Sequence, residues 1–99
     1  MNTIELNGGK DYVKWRIGMA GTAELFDIAV NTERGIGIGT RLVEILIDQL
    51  HDLNIHTLYA FCRDDNEEAI KFYKKLGFTV SVVHKFYKSG NAVLVVKYL

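Results

Sequence analysis

The sequence predicts an α+β domain, a mixed α/β sheet carrying two helices, in the order βββ-α-β-α-ββ. Three observations support this prediction. The segment before Arg34 alternates short apolar runs with turn residues and shows no helical periodicity. A glycine-rich segment, Arg34–Thr40, then separates a strongly apolar run from a long amphipathic stretch. A second amphipathic stretch, with capping residues at both ends, is followed by two further apolar runs.

Length and composition are those of one globular domain, residues 1–99. Twelve basic and twelve acidic residues cancel, and no block of like charge is present, so nucleic acid is not favoured as a partner. The single cysteine, Cys62, excludes an intramolecular disulfide, and no metal site is expected. No apolar run approaches the ~20 residues of a membrane helix, and the start of the chain lacks a signal-peptide pattern. The expected location is the cytoplasm.

The segment before the glycines is expected to form three antiparallel strands, Thr3–Asn7, Tyr12–Met19 and Glu24–Val30. A tight turn is expected at Ala20-Gly21-Thr22, between the second and third strands. Because its apolar residues fall on both faces, the third strand is expected to be central and covered on both sides. In the same alternation, Asp27 lies on the face opposite to Glu24.

The rest of the chain is expected to alternate helices and strands. The predicted elements are a helix at Thr40–Leu53, a strand at Thr57–Cys62, a helix at Glu67–Leu76 and strands at Phe78–Tyr87 and Ala92–Tyr98. Asn66 is the expected N-cap of the second helix, and Gly77 its left-handed C-terminal residue. The last two strands are joined at Ser89-Gly90-Asn91. The strand before the first helix and the strand after it should form a parallel pair.

The segment Arg34-Gly35-Ile36-Gly37-Ile38-Gly39-Thr40 is the strongest functional signal in the chain. Glycines at alternate positions expose the backbone just before a helix N-terminus, where unpaired N–H groups and the helix dipole favour phosphate. No lysine precedes Thr40, which excludes a P-loop. The glycine spacing also departs from a dinucleotide fingerprint. A turn that merely lets the helix pack closely remains an alternative.

Two motifs together resemble the GCN5-related N-acetyltransferase (GNAT) family. Arg34–Gly39 fits its Arg/Gln-x-x-Gly-x-Gly/Ala pyrophosphate pattern. Asn66–Phe78 is similar to its second signature, in which an asparagine and an alanine precede an aromatic-Tyr pair and Leu-Gly-Phe. The resemblance covers roughly residues 22 to 98 and implies the fold of that family.

The resemblance implies a site for acetyl-CoA. The expected cofactor-binding residues are those of a strand end, the glycine loop and the second signature: Ile28, Ala29, Val30, Arg34, Gly35, Ile36, Gly37, Ile38, Gly39, Thr40, Asn66 and Tyr73. In the family the loop holds the pyrophosphate, and the strand end pairs with the pantetheine amides. The strand then diverges from its parallel neighbour, and the pantetheine arm and acetyl group lie in the gap.

The family chemistry implies roles for Tyr73 and Glu24. Tyr73 matches the tyrosine beside the thioester sulfur and is the expected general acid for the leaving thiolate. A backbone N–H near Ala29 or Val30 would stabilise the charge on the carbonyl oxygen. Glu24 resembles the glutamate base of the histone-acetylating branch, and Asp27 or a water molecule is the alternative. Cys62 as a nucleophile is less favoured than Cys62 as a buried apolar residue.

The expected function is transfer of the acetyl group of acetyl-CoA to an amine, by direct attack. The usual family member begins with a strand and two helices that this sequence lacks. An open acceptor side suits a protein lysine or N-terminus better than a small amine, and the uncovered sheet face suggests a homodimer or docking on a protein. The alternative is a catalytically degenerate module that binds acyl-CoA or a partner protein.

Overall fold

The computed structural model describes residues 1–87 and 90–99, with the backbone alone for 84–87. Its elements follow the predicted order. They are β1 (Asn2–Leu6), β2 (Asp11–Ile17), β3 (Thr22–Ala29), α1 (Ile38–Asp52), β4 (Thr57–Arg63), α2 (Glu67–Lys75), β5 (Thr79–Tyr87) and β6 (Gly90–Tyr98). The predicted boundaries differ from these by at most two residues, because the pairing and capping that end an element are only partly visible in the sequence.

The strands form one sheet in the order β1-β2-β3-β4-β6-β5. Among the strand pairs that the structure describes, β3–β4 alone is parallel, and α1 connects these two strands, as predicted. The turn between β2 and β3 also matches the prediction, since Ala20 and Gly21 both have positive φ. The predicted turn between the last strands is partly wrong. Gly90 and Asn91 belong to β6, and Ser89 lies outside the described residues.

The core lies against one face of the sheet. Cross-strand pairing places the buried residues Val13, Trp15, Leu25, Leu58 and Val95 on this face. Helix α1 covers it with Leu42, Val43, Leu46 and Leu50, which recur at helical spacing. Helix α2 contributes Tyr73 to the same cluster. Each fully buried leucine stabilises this arrangement by roughly 1.5–3 kcal/mol.

A β-bulge in β3 overturns two predictions about that strand. The β2–β3 pairing steps from Lys14↔Asp27 to Trp15↔Leu25, so Phe26 is an extra residue in β3. The shift turns Asp27 to the face on which Glu24 lies, not to the opposite face. Phe26 is 53% exposed, so β3 is central but not covered on both sides. The face that carries Phe26, Asp27 and Glu24 is called the open face below.

Candidate functional site

Strands β3 and β4 separate after a short parallel ladder. Within the described residues they pair only over Thr22–Glu24 and Thr57–Tyr59. Beyond this ladder β3 pairs with β2 as far as Ala29, and β4 pairs with β6 as far as Arg63. The two strands therefore present backbone donors and acceptors into a gap that an extended ligand can enter as an added strand. This is the divergence expected from the resemblance.

The glycine segment ends at the amino terminus of α1, beside the gap. Gly35 and Gly37 have φ of 83° and 85°, a conformation that side chains rarely tolerate. Gly37 is the N-cap of α1, and no side chain caps the helix there. The first N–H groups of α1 are therefore open to an anionic ligand at the positive end of the helix dipole.

Gly39 has a different reason to be glycine. A Cβ atom at this position would lie 3.2 Å from Cε1 of Phe72 in α2. Because Gly39 has no side chain, the first turn of α1 can lie close to Phe72 in α2. Close packing therefore explains Gly39, whereas the positive φ of Gly37 at the uncapped helix end leaves the predicted phosphate site open.

A cleft of about 580 Å³ lies between this segment, the end of β3 and α2. Most of the predicted cofactor residues line it. They are Ile28, Val30, Arg34, Gly35, Gly37, Ile38, Gly39, Thr40, Asn66 and Tyr73. Three predicted residues are not among the lining residues: Ala29 pairs with Tyr12, Ile36 is 61% exposed at the loop tip, and Glu24 lies on the open face.

Tyr73 lies at the inner wall of the cleft and is only 5% exposed. Its ring packs edge-on against Phe72 and Phe78, at centroid distances of 5.4 and 5.1 Å. Burial, with smaller contributions from Cys62 and Asp27, raises the pKa of Tyr73 well above its ordinary value. The phenol therefore keeps its proton at neutral pH and is available as a hydrogen-bond donor.

Asn66 lies where β4 leads into α2. Its side-chain oxygen accepts a hydrogen bond of 3.1 Å from the N–H of Ala69, which confirms the predicted N-cap. Gly77 has a φ of 90° and follows the last turn of α2, as predicted. These two caps fix the ends of the helix that carries Tyr73, and so they hold its ring in the cleft wall.

Six residues that line the cleft are not among the predicted site residues: Glu33, Glu68, Ala69, Lys71, Phe72 and Lys75. The two lysines lie four residues apart, so they project from one side of α2. This spacing is visible in the sequence. Their position beside the glycine segment is not, because it depends on how α2 packs against α1.

On the open face, Glu24 forms an ion pair with Arg16. Oε1 of Glu24 lies 2.7 Å from Nε and 2.6 Å from Nη2 of the guanidinium. Glu24 is opposite Tyr59 at the last pair of the parallel ladder, and it is 7% exposed. It therefore sits where the gap begins, on the side away from α1 and α2. Asp27 accepts a hydrogen bond of 3.4 Å from the hydroxyl of Tyr12 on the same face.

Asp11, which is not among the predicted site residues, is a fully buried carboxylate near the start of the glycine segment. It accepts hydrogen bonds from Asn7, Asn31 and Thr32. Burial raises its pKa, but the hydrogen bonds from Thr32, Asn7 and the two backbone N–H groups outweigh this effect and lower the pKa of Asp11 to about 2. No local pattern in the sequence marks Asp11, because Asn31 and Thr32 lie 20 and 21 residues away from it.

Cys62 is buried on the core face of β4, and burial raises the pKa of its thiol. It therefore resembles a small apolar core residue more than a nucleophile. In the part of the chain that the structure describes, no group of three His, Cys, Asp or Glu side chains is placed to hold a metal ion. No described helix is long and apolar enough to cross a membrane.

Comparisons with known proteins agree on one family. The model of the acetyltransferase (GNAT) family matches residues 8–78. Spermidine N(1)-acetyltransferase of Escherichia coli K12 is 36% identical over 70 residues, which are 67% of this chain and 38% of that protein. The ribosomal protein bS18-alanine N-acetyltransferase of the same strain is 38% identical over 66 residues, which are 66% and 45% of the two chains.

Solved structures show the same relationship. Arabidopsis thaliana Naa50, in complex with the bisubstrate analogue CoA-Ac-MVNAL, superposes with a TM-score of 0.79 and 28% identity. The superposition covers 90% of this chain and 65% of that one. The chain spans less than half the length of the two curated relatives, 38% and 45%.

Proposed function

The chain belongs to the GNAT acetyltransferase family, and we propose that it transfers the acetyl group of acetyl-CoA to an amine. One observation carries this proposal. The gap between β3 and β4, the uncapped amino terminus of α1 and the ring of Tyr73 all border one cleft. Acetyl-CoA is an extended thioester with a pyrophosphate at its far end. Its extended arm suits the edge of β3, its pyrophosphate suits the end of α1, and its sulfur suits the buried hydroxyl of Tyr73.

The proposed acyl donor lies along the cleft. Its pyrophosphate binds the backbone N–H groups of the glycine segment at Gly37–Thr40, beside Arg34. Its pantetheine amides pair with β3 at Ile28–Val30, and the thioester sulfur reaches Tyr73. Support comes from the unpaired edge of β3 and the positive φ of Gly37. Lys71 and Lys75 add positive charge at the rim, which suits the phosphates of CoA.

The proposed reaction is a direct transfer. The neutral amine attacks the thioester carbonyl, a C–N bond forms, and the C–S bond breaks as the tetrahedral intermediate collapses. The amine nitrogen loses one proton, and the CoA sulfur gains one. Because burial keeps Tyr73 protonated, its hydroxyl supplies a hydrogen bond or a proton to the sulfur as negative charge develops there.

Glu24 is the proposed base for the amine proton. It lies at the start of the gap and on the open face, so an amine arriving from that face meets Glu24 where β3 and β4 separate. The hydrogen bond and the ion pair from Arg16 both fall on Oε1 of Glu24, and the proposal assigns Oε2 to the amine or to a bridging water molecule. Asp27 faces the same side because of the bulge at Phe26, and it is the alternative base.

The proposed acceptor is a protein lysine or N-terminus. The open face presents Phe26 at 53% exposure and carries Asp27, and Glu24 lies buried beside Arg16 where the gap begins. An extended peptide can lay an apolar side chain on Phe26 and direct its amine to the start of the gap. The bisubstrate ligand of Naa50 carries a peptide, and the acceptor named for one curated relative is a protein alanine. The relative that acetylates spermidine makes a polyamine the competing acceptor.

The test combines intact-mass analysis with release of free thiol. Purified protein is incubated with acetyl-CoA and three acceptors: a lysine peptide with a blocked N-terminus, the same peptide with a free N-terminus and a blocked lysine, and spermidine. We expect acetylation of a peptide with an equal amount of thiol released. Acetylation of spermidine alone would contradict the protein acceptor. CoA binding without thiol release from any acceptor would favour the degenerate binding module.

Two further features belong to the same proposal. A second copy of the chain covers the open face when no acceptor is bound, and sedimentation with and without acceptor peptide tests this homodimer. A cytoplasmic location is consistent with a single unpaired cysteine.

A further inference from the structure

We infer that Asp11 is a positioning residue for the acyl-donor loop, through the hydrogen bonds that its buried carboxylate accepts from Asn31 and Thr32. The inference rests on the proposed function, because it concerns the loop that would hold the pyrophosphate. Asp11 itself is not among the residues that line the cleft. Its effect on the donor must therefore pass through the backbone that it holds.

The carboxylate of Asp11 links the start of β2 to the β1–β2 turn and to the connection after β3. Its Oδ1 accepts from the N–H groups of Asn31, at 2.6 Å, and Thr32, at 3.1 Å. Its Oδ2 accepts from the hydroxyl of Thr32 and, at 2.6 Å, from the side-chain amide of Asn7 in the β1–β2 turn. The side chain of Asn31 returns a further bond of 2.8 Å to the carbonyl of Lys10.

These hydrogen bonds restrain the connection that leads to the proposed pyrophosphate site. Residues 30–37 connect β3 to α1, and Gly35 and Gly37 in this segment have positive φ. A glycine-rich backbone has many accessible conformations, and ordering it costs conformational entropy. Asp11 fixes two successive amides of the connection, just after the end of β3 and two residues before Arg34. The remaining segment is short, so its conformational freedom is reduced before any ligand binds.

The chemistry of Asp11 fits this role better than a role in core packing. A fully buried carboxylate is costly unless hydrogen bonds replace its hydration. All four donors given above are neutral groups, and three of them come from Asn31 and Thr32. If the loop moves away, the carboxylate loses most of its partners while it stays on β2. The loop and the carboxylate therefore stabilise each other in one arrangement.

The test uses two matched threonine variants. Thr32→Val removes the hydroxyl that donates to Asp11, and Thr32→Ser keeps it. Thr22→Val is the control, because the Thr22 hydroxyl also donates one hydrogen bond, 2.7 Å to the carbonyl of Met19, at the other end of β3. Asp11→Asn removes the charge and puts an amide donor in place of one acceptor.

Three quantities are measured for each protein: the Kd of CoA, the KM and kcat with acetyl-CoA, and the hydrogen exchange of amides 31–40 without ligand. We expect Thr32→Val and Asp11→Asn to raise the Kd and the KM by roughly tenfold, the size of one charge-assisted hydrogen bond. The kcat at saturating acetyl-CoA should stay within about twofold, and exchange of the loop amides should accelerate. Thr32→Ser should restore the wild-type Kd.

A merely structural role gives a different pattern. In that case Thr32→Val and Thr22→Val lower the melting temperature alike, and both leave the Kd of CoA and the exchange of amides 31–40 at wild-type values. That result would overturn the inference. If the protein binds CoA but releases no thiol, the proposed transfer fails, and the Kd and exchange measurements still decide the role of Asp11.

Discussion

The guanidinium of Arg34 lies 2.9 Å from the carboxylate of Glu68, so an ion pair joins the glycine segment to the first turn of α2. Both side chains line the cleft, and both are largely exposed. An exposed ion pair contributes about 0–1 kcal/mol and is weakened by salt. In the liganded protein Arg34 can therefore leave Glu68 for a phosphate at little cost.

Removal of the carboxylate of Glu68 should strengthen CoA binding. Glu68→Gln frees Arg34 and removes one negative charge from the cleft, so we expect the Kd of CoA to fall by roughly two- to fivefold. The gain should shrink at high salt. Glu67→Gln is the matched control, since Glu67 is in the same turn of α2 but does not line the cleft. Calorimetric titrations at two salt concentrations measure the effect; equal gains in both variants would exclude a specific role for Glu68.

Removal of the hydroxyl of Tyr73 should slow transfer and leave donor binding intact. We expect Tyr73→Phe to lower kcat by roughly a hundredfold, within the range of general acid catalysis. The Kd of CoA should change little, because the ring and its contacts with Phe72 and Phe78 remain. Since the pKa of Tyr73 is raised, its titration should not limit the rate below about pH 10. Tyr98→Phe, at an exposed position on β6, is the control.

Glu24→Gln should lower kcat by roughly a hundredfold without changing the Kd of CoA, as expected for loss of the base. Asp27→Asn tests the alternative on the same face of β3. Rates with an acceptor peptide, measured across pH, distinguish the two residues. A loss of kcat in Asp27→Asn alone would move the base to Asp27, and wild-type rates in both variants would assign the proton to water.

The left-handed backbone at Gly37 should matter for the donor more than for the fold. Gly37→Ala and Gly8→Ala place a Cβ at φ of 85° and 71°, each with no heavy atom within 4 Å. The two variants should lose a similar 1–2 kcal/mol or so of stability through backbone strain. In the free Gly37→Ala variant the loop can relieve this strain by leaving the left-handed conformation at residue 37. CoA binding must then restore that conformation, so we expect the Kd of CoA to rise by roughly tenfold. Gly8→Ala should keep the wild-type Kd; a rise in both would contradict a local role.

Stability should fall in acid because of Asp11. Its folded-state pKa, about 2, lies below the value of 3.8 for an unperturbed aspartate. The unfolded chain therefore binds the proton more tightly. The stabilising contribution is present above about pH 4 and is lost as the pH falls towards 2. Urea unfolding over this range should show a shallower acid dependence for Asp11→Asn than for the wild type, and identical slopes would contradict the lowered pKa.

The sequence by itself determined the elements, their order and the two motifs of the site. Local chemistry is sufficient there: alternating apolar residues form strands, helical spacing forms α1 and α2, and Asn66 and Gly77 cap α2 through neighbours in the chain. The glycine-rich turn before α1 could be predicted for the same reason. Their φ values and the open helix end follow from residues adjacent to one another.

Only the tertiary structure decided which faces are covered and how distant residues meet. The bulge at Phe26 depends on pairing between β2 and β3, and it turned Asp27 to the face of Glu24 against the simple alternation. The parallel ladder ends at Glu24 and Tyr59 because β4 stays paired with β6 while it separates from β3. Asp11 lies 20 residues from Asn31 in sequence, so no local pattern shows that its carboxylate holds the loop. Such contacts form only when the sheet assembles, because pairing register and burial are properties of the whole fold.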